Sequence, residues 1–416
     1  MIRHRVRPVT ISLDSISVPE SETAQRIVES AAQIIAEHGE GHLRINDVCK
    51  AAGVTSTTLY SLLGDRERLV TTALLHLVST TSYDAIRQFQ TLVMESTTQS
   101  GFRRMLTGVT NSLLKPERRH SRRIRLYALG SIRHRPELGE AIGTLLRHEV
   151  DLFASWLERA DDDGLISVEN PRATAAWALA YTLAHTALDG DGVSAHDAHW
   201  DDVWRWGLRA VIVGDAGPFP TQPRGPQIAH GTHPDRHPTA LRIIDWAADR
   251  IDMVGESAFR AEHLPPEIAK STTPIYRYFG TRENLVGAAQ EERFSRSVMS
   301  IVEASNSADA RVLIAAAFSP ERADARVRRL EAIAATLGRA EVAQAIAERR
   351  DANLASIADA LSKTVTSVDL FDGVRLGAAL LTSLAIVEVL DLGIDVDTHR
   401  SISLSLLERA LHELLD

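Results

Sequence analysis

Cysteine is almost absent: the 416 residues hold one, Cys49. A single thiol excludes a disulfide framework and fits a reducing compartment, so a cytoplasmic protein is expected. Aromatics make up 5% of the chain and alternating β-branched runs are nearly missing, which argues against a sheet protein. No stretch approaches the roughly 18 uncharged apolar residues that a membrane span needs, so no membrane partner is expected. Arg3, Arg5 and Arg7 are not followed by an apolar run of signal-peptide length. There is no phosphate loop, no zinc-ligand spacing and no nucleophile elbow. His412-Glu413 lacks the second histidine of a zinc-protease helix. Neither an enzyme nor a cofactor is therefore expected. His230, His233 and His237 with Asp235 have nothing rigid to orient them, so they read as linker histidines and no metal is expected. A net charge of −9 excludes a bulk polycation. Any nucleic-acid contact must use a local patch.

What is present is Ala and Leu at helical spacing, with Gly and Pro gathered in a few places. The expected fold class is all-α. Residues 1–20 read as a basic flexible arm. From Ser21, Ile27, Ala31, Ile34 and Ile35 mark one apolar face of a helix that Gly39 stops. A second short helix covers about Ile45–Ala51, and Gly53 makes a turn that needs positive φ. Thr55 or Ser56 caps a third helix. In it Leu59, Leu62 and Leu63 are expected to face the core, leaving Thr57, Tyr60 and Ser61 outside. Gly64 ends that helix and Asp65 caps the next. Arg66 and Arg68 stand in its first turn, where positive charge opposes the helix dipole and a bound phosphate would relieve the conflict.

Residues 73–214 read as helical with breaks near Thr97–Ser100, Lys115–His120, Pro136, Asp161–Gly164 and Asp189–His196. The segment 172–189 is apolar nearly all round, as a helix buried on most sides is. The stretch 215–238 is rich in proline and reads as an interdomain linker. Beyond it the plan repeats. Residues 26–73 laid on 242–289 without gaps match at 16 of 48 positions, among them Arg26/Arg242, Gly39/Gly255, Arg44/Arg260, Thr57/Thr273, Tyr60/Tyr276, Gly64/Gly280 and Arg66/Arg282. A constant offset of 216 over this length is an internal duplication. Gly373–Leu390 is again nearly all apolar, and Thr398–Leu415 closes the chain.

On Ile45–Val48, Ala51-Ala-Gly-Val54, Leu59-Tyr60 and Gly64-Asp-Arg-Glu-Arg-Leu69, the first half resembles the TetR family of bacterial transcriptional regulators. The second half resembles it on Ser271–Phe279 and Gly280–Leu285. The resemblance covers about 50 residues in each half. It implies two tandem units, each a three-helix helix-turn-helix domain (21–72 and 239–288) followed by a helical ligand-binding and dimerisation domain (73–214 and 289–416). It also implies double-stranded DNA and a small-molecule effector as partners, and a repressor released by that effector. The positions matching family DNA contacts are Arg44, Thr55, Ser56, Thr57, Thr58, Tyr60, Ser61 and Arg66. In the second copy they are Arg260, Ser271, Thr272, Thr273, Tyr276, Arg277 and Arg282. Hydroxyls, tyrosine and arginine suit phosphates and base edges.

The second copy departs from the pattern. Pro265 and Pro266 fall where its second helix belongs, and an interior proline costs about 3 kcal/mol. Two readings stay open, a working but different reader and a structural relic. The family dimerises through its last two helices. Here 172–213 and 373–415 are expected to pair, either as an intramolecular pseudo-dimer reading an asymmetric operator or as a homodimer. An effector pocket is expected in the first regulatory domain, lined by some of Tyr127, Leu129, Phe153, Trp156, Trp177, Tyr181 and His185. The second regulatory domain shows no pocket signature. Arg118, Arg119, Arg122, Arg123 and Arg125 read as a solvated face. The alternative from another class is a helical protein-binding or ligand-sensing module with degenerate readers.

Overall fold

The computed structural model describes residues 21–92, 98–188, 198–222, 237–305, 310–365 and 370–415. All regular structure among them is helical. No described helix is long and apolar enough to cross a membrane. The described residues fall into two compact units divided between His76 and Leu77. Arg3, Arg5, Arg7, His230, His233 and Asp235 lie outside the described residues.

The first unit holds α1 (Glu22–His38), α2 (Ile45–Ala52), α3 (Ser56–Leu63) and the start of α4 (Arg66–Leu92). Each boundary has a local cause. The Ser21 hydroxyl accepts from Ala24 N to open α1, and Gly39 closes it at φ 78°. Gly53 ends α2 in the left-handed region at φ 67°, a conformation that costs a side-chain-bearing residue. The core comes from Ile27, Ala31 and Ile35 of α1 with Leu43, Val48, Leu59, Leu63 and Leu69. Leu62 is a correction: it is 43% exposed, not in the core. On an eight-residue helix held by Leu59 and Leu63, the intervening position points away.

The second unit continues with α5 (Gln99–Leu113), α6 (Arg119–Gly130), α7 (Pro136–Asp162), α8 (Pro171–Leu188) and α9 (Ala198–Ile212). Then come α10 (Pro238–Val254), α11 (Thr273–Phe279), α12 (Arg282–Ser305), α13 (Ala310–Phe318), α14 (Ala323–Ala334), α15 (Ala340–Val365), α16 (Phe371–Val389) and α17 (Val396–Leu415). The second helix-turn-helix-like segment belongs to this unit. Its corner is tied down by Arg339, which pairs with the Glu256 carboxylate, and by Gln290 Nε2, which donates to it at 3.0 Å. Burial raises the Glu256 pKa, but the Arg339 charge and these hydrogen bonds outweigh it and leave it below the ordinary value.

The duplication extends into geometry. Arg122 Nη1 donates to the carbonyls of Leu113 and Lys115, and Arg326 Nη1 to those of Ala317 and Ser319, 204 positions on in every case. The Thr182 hydroxyl donates to Ala178 O at 2.7 Å and the Thr382 hydroxyl to Ala378 O at 2.8 Å. The last helices of the two halves pack together: α16 lies on α8, and α17 touches α8, α9 and α16. Trp177 Nε1 donates to Ser403 Oγ at 3.1 Å, Arg375 lies over the Trp200 ring, and Arg409 lies over Trp206. Two stretches of linker backbone are held by the same helices: Phe219 N donates to the Glu413 carboxylate and Gln222 N to Asp372.

Candidate nucleic-acid interface and ligand cavities

In the first reader, Val54 N closes the turn on Cys49 O at 3.0 Å. Thr55 then caps α3, its Oγ1 accepting from Thr58 N at 3.2 Å. The two hydroxyls also bond each other at 2.9 Å, so Thr55 and Thr58 shape the helix start. Ser56, Thr57, Tyr60 and Ser61 stand exposed beside them, Tyr60 at 46%. Arg44 is exposed at the start of α2, and its Nη1 donates back to Gly41 O at 2.9 Å. Arg66 turns inward. Its guanidinium donates to the Glu40 carbonyl at 3.2 Å and reaches the carboxylate at 3.4 Å. The charge conflict at the start of α4 is thus met from within the chain, by Glu40. Arg68, exposed one position beyond Glu67, is better placed to meet a phosphate.

The second copy keeps the corners and loses the middle. Arg260 Nη1 donates to Ser257 O at 2.8 Å, as Arg44 does to Gly41. Arg282 Nη2 donates to Glu256 O at 3.1 Å, as Arg66 does to Glu40. Where α2 has its counterpart there is a single 3-10 turn, Ala261–His263, followed by turns around Pro265. Prolines at 265 and 266 supply no amide hydrogen, so a helix cannot run through them. The short α11 leaves Ser271, Thr273, Tyr276 and Arg277 exposed, with Thr272 half-buried and Arg277 over the Tyr278 ring. Tyr278 stacks on His237, the one linker histidine among the described residues, and bonds its Nδ1 at 3.1 Å.

Of the seven residues expected to line an effector pocket, Phe153 lines the cavity of the first half; Tyr127, Leu129, Trp156, Trp177, Tyr181 and His185 do not line it. Trp156 stacks on Phe102 at 4.7 Å, and Trp177 on Tyr181 at 4.9 Å. His185 bonds Asp201 at 3.1 Å between the rings of Trp200 and Trp204. Tyr127 is buried in α6. Burial raises the Tyr181 hydroxyl well above the usual tyrosine range. These side chains fasten helices to one another.

The cavity itself lies between α5, α6, α7, α8 and α9 and encloses about 1090 Å³, part of it open to solvent. Leu106, Val109, Phe153 and Leu179 make apolar wall, and Arg118, Arg122, Arg125 and Glu149 supply the charge. The arginine run is therefore no solvated face. Arg122 is held by carbonyls at the end of α5, and Arg125 by Glu149 at 2.5 Å and Ser82 at 3.1 Å. The second half, expected to have no pocket, has one between α12, α13, α14, α15, α16 and α17, about 870 Å³ with the part open to solvent included. Leu313, Ile357 and Leu381 line it, together with Arg329, Arg350 and Asn353. The two halves share a sequence pattern here: Pro-Glu-Arg at 116–118 and again at 320–322 is followed in each case by two arginines three apart, Arg122/Arg125 and Arg326/Arg329, of which Arg122, Arg125 and Arg329 line the cavities.

No protein-family model matches the chain, and no curated protein matches it.

Proposed function

We propose that the chain is a sequence-specific DNA-binding transcriptional regulator built as two tandem TetR-like units, a repressor released by a small ligand. The observation that carries this reading is the outward face of α3. Thr57, Tyr60 and Ser61 stand exposed on a helix whose other face is fixed by Leu59 and Leu63. Short hydroxyls and a tyrosine on a rigid helix suit phosphate and base-edge hydrogen bonds. The packing of α8 and α9 on α16 and α17 supports an intramolecular pseudo-dimer with two unlike readers and an asymmetric operator. The two cavities give an effector somewhere to act by favouring one conformation over another. No catalytic role is proposed.

A second reading, a ligand-sensing module whose second reader is a relic, is favoured by the missing helix before α11 and by the Arg339 clamp on Glu256. Genome-wide mapping of bound DNA separates the two. Asymmetric sites bound by a particle with the mass of one chain per site support the regulator. Symmetric sites bound by two chains sink the pseudo-dimer. Absence of any salt-dependent DNA retention sinks the regulator and leaves the module.

A further inference from the structure

The two cavities differ in charge at one equivalent position. In the first, Arg125 is answered by Glu149 at 2.5 Å. In the second, 204 positions on, Arg329 occupies the place of Arg125 and Asn353 that of Glu149. The neighbouring Arg326 does not share its partner, since its guanidinium grips Glu388. Arg350 has Asp351 at 2.8 Å. Among the described residues Arg329 bonds only neutral groups, Ala378 O at 3.3 Å and Thr382 Oγ1 at 3.2 Å, both through Nη2. Burial, and then the Arg326 charge, pull its pKa down to about 10, so it stays cationic at neutral pH. An unpaired buried cation is costly, and it is the cost that an incoming anion removes. The remaining wall is almost wholly apolar.

We infer that the second cavity binds an apolar monoanion, a hydrocarbon body of medium length with its acid headgroup on Arg329 and Asn353. In the first cavity the equivalent arginine, Arg125, is already answered by Glu149, so the same headgroup position is taken. The mostly aliphatic lining, with a few convergent polar groups, suits a small organic molecule. Arg329 supplies up to two further donors to the headgroup, and the Asn353 amide can add another. The effector role of such a ligand rests on the regulator reading. Its binding does not.

The test is titration calorimetry on the full chain with two probes of equal length, decanoate and decan-1-ol. Decanoate is expected to bind at least about tenfold more tightly, the range of one charge-assisted hydrogen bond. Arg329→Met removes that preference and keeps decanol binding. Asn353→Asp rebuilds the neutral pair of the first cavity and also removes the preference; adding a partner to Arg329, it tests the site even if Arg329→Met fails to fold. The reciprocal Glu149→Asn frees Arg125 and raises the decanoate stoichiometry from one to two. Equal binding of acid and alcohol to the wild type overturns the proposal, as does a preference that survives Asn353→Asp. DNA retention is measured separately with decanoate present. Binding without any change in retention sinks the regulatory role and leaves the site standing.

Discussion

Arg66 Nη2 donates to the carbonyl oxygen of Glu40 at 3.2 Å, and Arg282 repeats the bond to Glu256 at 3.1 Å. Each arginine, in the first turn of its long helix, ties that helix to the loop that closes the first helix of its copy. Glu40 is itself buried, so Arg66→Ala weakens a charge that water cannot fully reach. The expected cost is about 1–2 kcal/mol. Hydrogen exchange of the amides in α1 and α2, measured in the full chain, should speed up roughly five- to thirtyfold. Arg66→Lys keeps the charge but not the planar fork, and should recover only part of the protection. Were Arg66 a phosphate ligand alone, exchange in the free protein would not change.

Tyr60 and Leu59 are neighbours with opposite consequences. Tyr60 is exposed and Leu59 fully buried. Tyr60→Ala, alone or with Thr57→Ala, should leave thermal stability within about 0.5 kcal/mol and abolish retention on promoter DNA. Leu59→Ala should cost about 2–5 kcal/mol by opening a cavity in the reader's core. Residues 21–76 carry five arginines and lysines against seven carboxylates, and Arg66 is turned to Glu40. Few cations are therefore left for phosphates. A shallow salt dependence, a log–log slope of about −3 or less for this reader, follows from Arg44, Lys50 and Arg68. A slope near −8 would place the main contact elsewhere.

The helix boundaries of the first reader were legible because their causes are local. Gly39, Gly53, Thr55 and Gly64 act within a turn of where they stand. The cavities were not legible in the same way. Arg122 and Arg125 look like surface charge until α5 brings carbonyls to one and α7 brings Glu149 to the other. Large aromatics drew attention to Trp177, Tyr181 and His185, yet their size suits them to filling gaps between helices. The space left for a ligand is walled mostly by aliphatic side chains, leucine above all. The second cavity hides for the same reason, since short side chains are what leave it open.

His399 gives the two last helices of the second half a dependence on pH. It is fully buried, and its Nε2 meets the Ser383 hydroxyl at 3.0 Å. Burial pushes its pKa down from 6.5 to about 3. The unfolded chain therefore takes up a proton near pH 6.5 that the folded chain refuses until near pH 3. Stability contributed by the neutral histidine is present above 6.5 and falls as pH drops through that window, by about 1.4 kcal/mol per pH unit. Between pH 7 and 5 the wild type should lose about 2 kcal/mol more than His399→Gln, read from urea midpoints. His134 is lowered chiefly by burial and next by Arg133, so both proteins keep a residual slope of the same sign. Equal slopes in the two proteins would show that His399 titrates normally.

Gly130 and Ala334 end α6 and α14 and bring the two halves of the chain into contact. A Cβ added at Gly130 would lie 2.2 Å from the Ala334 Cβ and 3.4 Å from the Glu331 Cα. Propensity and packing therefore pull Gly130→Ala in opposite directions. Within a helix the change is ordinarily worth up to about 1 kcal/mol in favour of alanine, and less at a last residue. Overpacking costs about 1–3 kcal/mol, and here the obstructing atom is a Cβ fixed to its own backbone, with no rotamer to give way. Packing should win, so Gly130→Ala destabilises. The reciprocal change Ala334→Gly removes the obstruction, and the double variant should recover most of the loss. A coupling energy above about 1 kcal/mol in this cycle is what direct contact requires. If the single variant is instead stabilised, α6 and α14 do not meet through this pair, and the closest seam between the halves must lie at α8 and α16.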